Sequence, residues 1–222
     1  MSSNNQTISL DLGGRALAGW EIVSVLVSCL LAEWIVLSFL GHRKWAVLIP
    51  ALLALGLMLV SHVVRGESVR DLGFRMDNFW PAARLLLVPT ILLVGLILLV
   101  VWLITDGLKA VEFRPKLFLL FFWALFQQYV LQGFVNRRAQ LALGRGWSSI
   151  LLVGVFFGLV HLPNPVLSAL TVVGGLVWAA VYQRHPNLFA LALSHTVASF
   201  VLTFLIPAKV VHSLRVGFKF FG

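Results

Sequence analysis

A chain of 222 residues that is 60% hydrophobic and only 11% charged is too apolar for a soluble domain whose whole surface must face water. Its net charge of +9 sits on Lys and Arg scattered between apolar runs instead of forming a basic face interleaved with aromatics. The expected partner is therefore the lipid bilayer and not nucleic acid.

Crossing about 30 Å of hydrocarbon takes roughly 20 helical residues. The apolar runs predict an all-α, polytopic transmembrane bundle of about seven spans, near 19–40, 45–64, 82–105, 117–136, 148–162, 165–183 and 187–206. The opening MSSNNQTISLDLGG has no basic n-region, and no small-residue cleavage pattern follows the first span, so that span is expected to be retained. Cys29, the only cysteine, lies within it and excludes an internal disulfide. Glu33 stands deeper in the same span, in CLLAEWIVL, as the one carboxylate at membrane depth, whereas Glu21 lies near the span's start. The stretch RGESVRDLGFRMDNFW after span two is the most charged of the chain and reads as an amphipathic segment resting at the interface. Span three, with no charge from Leu85 to Thr105, reads as a lipid-facing anchor. Seven spans would put nine basic residues on one side (Arg15, Arg65, Arg70, Arg75, Arg84, Arg137, Arg138, Arg145 and Arg184) and eight on the other (Arg43, Lys44, Lys109, Arg114, Lys116, Lys209, Arg215 and Lys219), a balance that leaves orientation open.

Downstream of Glu112 there is no Asp or Glu, yet the spans carry polar side chains that hydrocarbon rejects, which makes them a functional hypothesis by default. In span four, helical spacing puts Gln128, Gln132 and Asn136 on one stripe with Gln127 on its flank, serving either as interhelical glue or as a site wall. Span five is short and ends at His161, just before Pro163-Asn164-Pro165, which predicts a tight hairpin with span six or a re-entrant segment. Gly154, Gly158, Gly174 and Gly175 permit close helix approach. In span seven His195 lies well inside the apolar run, with Ser199 one turn later. Residues 1–116 read as front spans with the interfacial segment, 117–206 as a polar-cored half, and 207–222 as a basic tail.

These residues resemble the CPBP proteins, which include the type II CAAX prenyl endopeptidase and bacteriocin-processing relatives. The family pattern is Glu-Glu-x-x-x-Arg, then Phe-x-x-x-His, then His-x-x-x-Asn or Asp. Here QQYVLQ, from Gln127 to Gln132, stands at the first motif, Phe157 to His161 matches the second, and His195 to Ser199 matches the third except at its last position. The stretch Asp71 to Arg75 is of a type often seen upstream. The resemblance implies a CPBP-type four-helix core in a bacterial cytoplasmic membrane, and endoproteolysis of a membrane-anchored protein or peptide without a cofactor. It also implies that Gln127 and Gln128 orient water, that His161 and His195 position water and substrate, and that Ser199 assists the oxyanion.

The departures bear on mechanism. An amide at position 127 can orient water but cannot take its proton, and general-base help is worth about 10²–10⁴-fold. Replacing both acids and the Arg of the motif by Gln leaves no stranded charge. Glu33 is then the candidate substitute base, if it faces the histidines; otherwise it is an acid kept protonated against a neighbouring helix. Zinc usually takes three protein ligands, and Gln is a poor one, so no metal is expected. An intramembrane endopeptidase and a non-cutting peptide-binding scaffold both remain open. A transporter fits less well, since no inverted repeat is visible.

Overall fold

The structure, a computed structural model, describes residues 2–40, 44–104 and 117–221. Arg43, Lys109, Glu112, Arg114 and Lys116 lie outside the described residues. Helix α1, Ser2–Leu30, runs on through a π-helical turn, Leu31–Val36, and ends in a last turn, Leu37–Phe39. Then follow α2, Lys44–Val64, and α3, Phe79–Ile104. Helix α4, Leu117–Gln128, continues through a second π-helical turn, Tyr129–Asn136, into α5, Arg137–Leu143. Helices α6, Trp147–Leu159, α7, Pro165–Arg184, and α8, Leu188–Phe200, come next, and α8 extends through a third π-helical turn, Val201–Leu205. Among the described residues, five helices are long and apolar enough to cross a membrane. Two shorter apolar ones, Leu48–Val64 and Trp147–Leu159, bring the bundle to about seven spans, as the hydrophobic runs predict.

Local chemistry sets the turns. Gly144 and Gly146 supply positive φ values of 82° and 133° between α5 and α6, where a β-carbon would be strained. Asn164 and Asn187 cap α7 and α8, their side chains accepting from Leu167 N at 3.1 Å and Ala190 N at 2.9 Å. Pro165 fits the first turn of α7, where its missing N–H is no loss. The Pro-Asn-Pro stretch thus makes a hairpin, with α6 packed on α7. A β-carbon on Gly175 would lie 3.0 Å from the Gly154 Cα, so the glycines hold these two backbones in contact. Helix α8 packs against both α3 and α4, and α1 against α2 and α5.

The structure adds detail to one expectation and corrects two. The segment after α2 is a turn-rich loop docked on the core. Leu72 is buried and its carbonyl accepts from the Tyr182 hydroxyl at 2.9 Å, while Asn187 Nδ2 donates to Arg75 O at 2.6 Å. Helix α3 is not a plain anchor: Leu87, Val88, Ile91 and Leu92 are exposed, but the opposite face buries Leu86, Ile97 and Val101, and Thr90 shares a 2.7 Å hydrogen bond with Ser194. Arg138, counted above among loop charges, is wholly buried.

Arg138 is satisfied by acids from the front half. Its Nε lies 3.0 Å from Glu21 and its Nη2 2.8 Å from Glu67. Arg65 joins Glu21 at 3.0 Å, Arg137 joins Glu67 at 2.7 Å, and Ser61 and His62 hydrogen-bond to these carboxylates at 2.6 Å each. A buried cation with bonded partners on several elements is strongly unfavourable to break, so this cluster clamps α1, α2 and the following loop onto α5. Burial alone would raise the Glu67 carboxyl, but hydrogen bonds from His62, Arg138 and Arg137 outweigh it and hold it well below the usual carboxylate range.

Residues 207–221, within the basic tail, form a strap against the bundle. Asn164 Nδ2 donates to Val211 O at 3.0 Å and Arg215 O at 3.2 Å, and Gly217 N donates to Leu162 O at 2.9 Å. Gly217 has φ +57°, and a β-carbon there would meet the Glu33 carbonyl at 2.7 Å, so only glycine lets the strap lie on the π-helical turn that carries Glu33.

Candidate functional site

A cavity of about 270 Å³ opens inside the bundle. Its polar lining is Glu33 from α1, Gln127 from α4, His161 beyond α6, Thr171 from α7, His195 and Ser199 from α8, and Thr203 beyond it. Leu93 and Ile97 of α3, Leu120 and Trp123 of α4, Phe157, Leu167, Leu170 and Trp178 supply an apolar wall, and Leu214 and Val216 of the strap close one side. A second cavity, of about 140 Å³, is bordered by Glu33, Gln127 and His161 again, with Cys29 on its far wall.

The two imidazoles are held differently. His161 Nδ1 donates to the Phe157 carbonyl at 2.7 Å, one turn back, so its proton is on Nδ1 and the Nε2 lone pair is available. That backbone bond is compatible with lining the cavity. His195 is buried, with Nδ1 3.3 Å from Gln128 Nε2. Its ring lies against Trp178, centroids 4.5 Å apart, and the edge of Phe157 meets both imidazoles, at 4.8 Å for His161 and 5.8 Å for His195. Phe157 is therefore a shared spacer between the two.

The glutamines part company. Gln127 lines the cavity, whereas Gln128 sits behind His195, and Gln132 points into a buried polar network, accepting from Asn136 Nδ2 at 2.7 Å. No three His, Cys, Asp or Glu side chains among the described residues are placed to hold a metal ion. Sequence reasoning missed Trp178, whose Nε1 donates to Ser194 Oγ at 3.0 Å while its ring abuts His195. An aromatic in an apolar span carries no signal of that role.

An all-α membrane bundle enclosing two histidines, a carboxylate and an amide defines a polytopic membrane protein with a polar intramembrane cavity. Residues 115–201 match the family model described as Type II CAAX prenyl endopeptidase Rce1-like, a similarity consistent with the CPBP family that the motifs resemble. No curated protein and no solved structure matches the chain. Glu33 and the strap lie outside the matched residues.

Proposed function

We propose that this protein is an intramembrane endopeptidase of the CPBP type, cutting a membrane-anchored protein or peptide, in which Glu33 takes the place of the family's catalytic carboxylate. The observation that carries the reading is that Glu33, Gln127, His161, His195 and Ser199 line one cavity. A carboxylate can accept the proton of an attacking water where an amide cannot. Gln127 then orients that water, the His161 Nε2 lone pair accepts a hydrogen bond from it, and His195 and Ser199 face the carbonyl oxygen as its charge develops. The apolar wall suits a substrate delivered from lipid. The family's bacteriocin-processing relatives support a bacterial cytoplasmic membrane as the location.

The test is cleavage of a membrane-anchored peptide by the protein reconstituted in liposomes. Wild type is expected to cut, and Glu33→Gln to lose about 10²–10⁴-fold in kcat. Unchanged cleavage in Glu33→Gln would remove Glu33 from the mechanism. A non-cutting scaffold is the second reading, favoured by amides at both positions where the family has acids. It predicts binding without cleavage in wild type, with activity appearing on Gln127→Glu.

A further inference from the structure

The first helix is tied to the bundle at two places. Toward its start, the ionic cluster joins Glu21 to Arg138 of α5. Farther along, the π-helical turn Leu31–Val36, which carries Glu33, packs against α2 and against the last turn of the strap, Gly217–Phe220. Phe218 of that turn meets the Trp34 ring edge-on, centroids 5.0 Å apart, and the Phe39 ring at 5.8 Å. Its neighbour Gly217 lies so close to the Glu33 carbonyl that a β-carbon would stand 2.7 Å from it.

The α6–α7 hairpin grips the same short stretch from the other side. Gly217 N donates to the carbonyl of Leu162, the residue after His161, at 2.9 Å. Asn164, fully buried, uses both ends of its amide: Oδ1 accepts from Leu167 N at 3.1 Å and caps α7, while Nδ2 donates to Val211 O at 3.0 Å and Arg215 O at 3.2 Å. Between those two carbonyls His212, Ser213 and Leu214 have φ values of 48°, 54° and 56°. A left-handed run of side-chain-bearing residues persists only where its surroundings hold it. The path of the strap is therefore set by the grip of Asn164 and not by local preference.

We infer that the strap is a positioning brace: it holds the Glu33 turn to the hairpin that carries His161, and so sets how far the carboxylate stands from the imidazole across the cavity. The brace rests on the peptidase reading for what Glu33 does there, and on contacts alone for how Glu33 is held. Phe218 is its anchor on the first helix and Asn164 its anchor on the hairpin. Gly217 touches both sides, with its N–H on Leu162 and its Cα against the Glu33 carbonyl. Neither anchor is among the residues that line the cavity, so each acts through others. Glu33 and the strap lie on opposite sides of the matched residues 115–201, and the fold brings them together over that core.

Cys29, the only cysteine, precedes Glu33 by one turn and borders the second cavity, so it reports whether this end of the helix stays against the bundle. The experiment follows the reaction of Cys29 with N-ethylmaleimide in the full-length protein in lipid nanodiscs, without substrate. Phe218→Ala, and Asn164→Ser, which keeps a capping oxygen for α7, should each raise the labelling rate about tenfold, the scale of one or two lost contacts. Phe218→Tyr, which keeps the ring, should label at the wild-type rate. The midpoint of thermal unfolding should move by no more than about 4 °C, because only one end of the helix is released. In the liposome assay Phe218→Ala should lose about 10²-fold in kcat with KM little changed, the effect of a displaced carboxylate. If one variant fails to accumulate, the other gives the labelling result. Labelling at the wild-type rate, or faster only alongside a larger fall in the midpoint, would overturn the brace, and faster labelling with unchanged kcat would overturn its positioning role. A wild type that cleaves nothing sinks the peptidase reading and leaves labelling to decide the brace.

Discussion

Phe157 illustrates how a single residue links sequence to chemistry. Its carbonyl fixes the His161 tautomer, and its ring edge spaces both imidazoles. Trimming the ring in Phe157→Leu keeps the carbonyl but frees the rings, so kcat in the peptide assay should fall by about 10²-fold with KM little changed, the effect of a misplacement near 1 Å. At this scale the sequence was informative where polarity conflicted with environment: Glu33, His161 and His195 stand out because hydrocarbon rejects them. It marked Gln128 as polar but not its contact with His195, and it was silent on Trp178. Which atom of a glutamine meets which ring nitrogen, and which apolar ring abuts a histidine, depend on packing between elements far apart in the chain.

Three of the spans wall the cavity where they widen into a π-helical turn or next to one: Glu33 lies within Leu31–Val36, Gln127 just before Tyr129–Asn136, and Thr203 within Val201–Leu205. Such turns shift the side-chain phase locally and often mark functional sites. A pattern read at 3.6 residues per turn cannot show them, which is why Gln132 is aligned with Gln128 by spacing yet points into a different network. The α6–α7 hairpin was legible from its Pro-Asn-Pro turn and its glycines. Gly175→Ala, placing a methyl 3.0 Å from the Gly154 Cα, should wedge the hairpin apart and destabilise the protein by about 1–3 kcal/mol, measurable by thermal unfolding in detergent.

The whole molecule is held together across its polar cluster, and composition hid this because Arg138 looks like a loop charge until its partners are seen. Replacing Glu67 by Gln weakens the pairing of Arg138 and Arg137 and should destabilise by on the order of 3 kcal/mol. The Glu67 carboxyl is held low, so its contribution is complete above the unfolded value near 4.3 and is lost as pH falls below that toward the depressed folded value. Unfolding temperature should therefore drop on the acid side, and part of that drop should be missing in Glu67→Gln. A wild-type-like acid slope in the variant would assign the effect to other groups. The cluster's acids lie in the front half, outside the family match, so the matched core is braced by residues beyond it.

Helix α1 carries Glu21 of that cluster and, twelve residues on, the cavity carboxylate Glu33. At 1.5 Å per residue the two are roughly 18 Å apart along the axis. The ionic end is thus a pivot and Glu33 the tip of a lever: a swing of about 10° at the pivot carries the tip about 3 Å, the width of one hydrogen bond. The placement of Glu33 in the cavity is thus set in part by ionic partners that lie far along the helix axis and do not line the cavity.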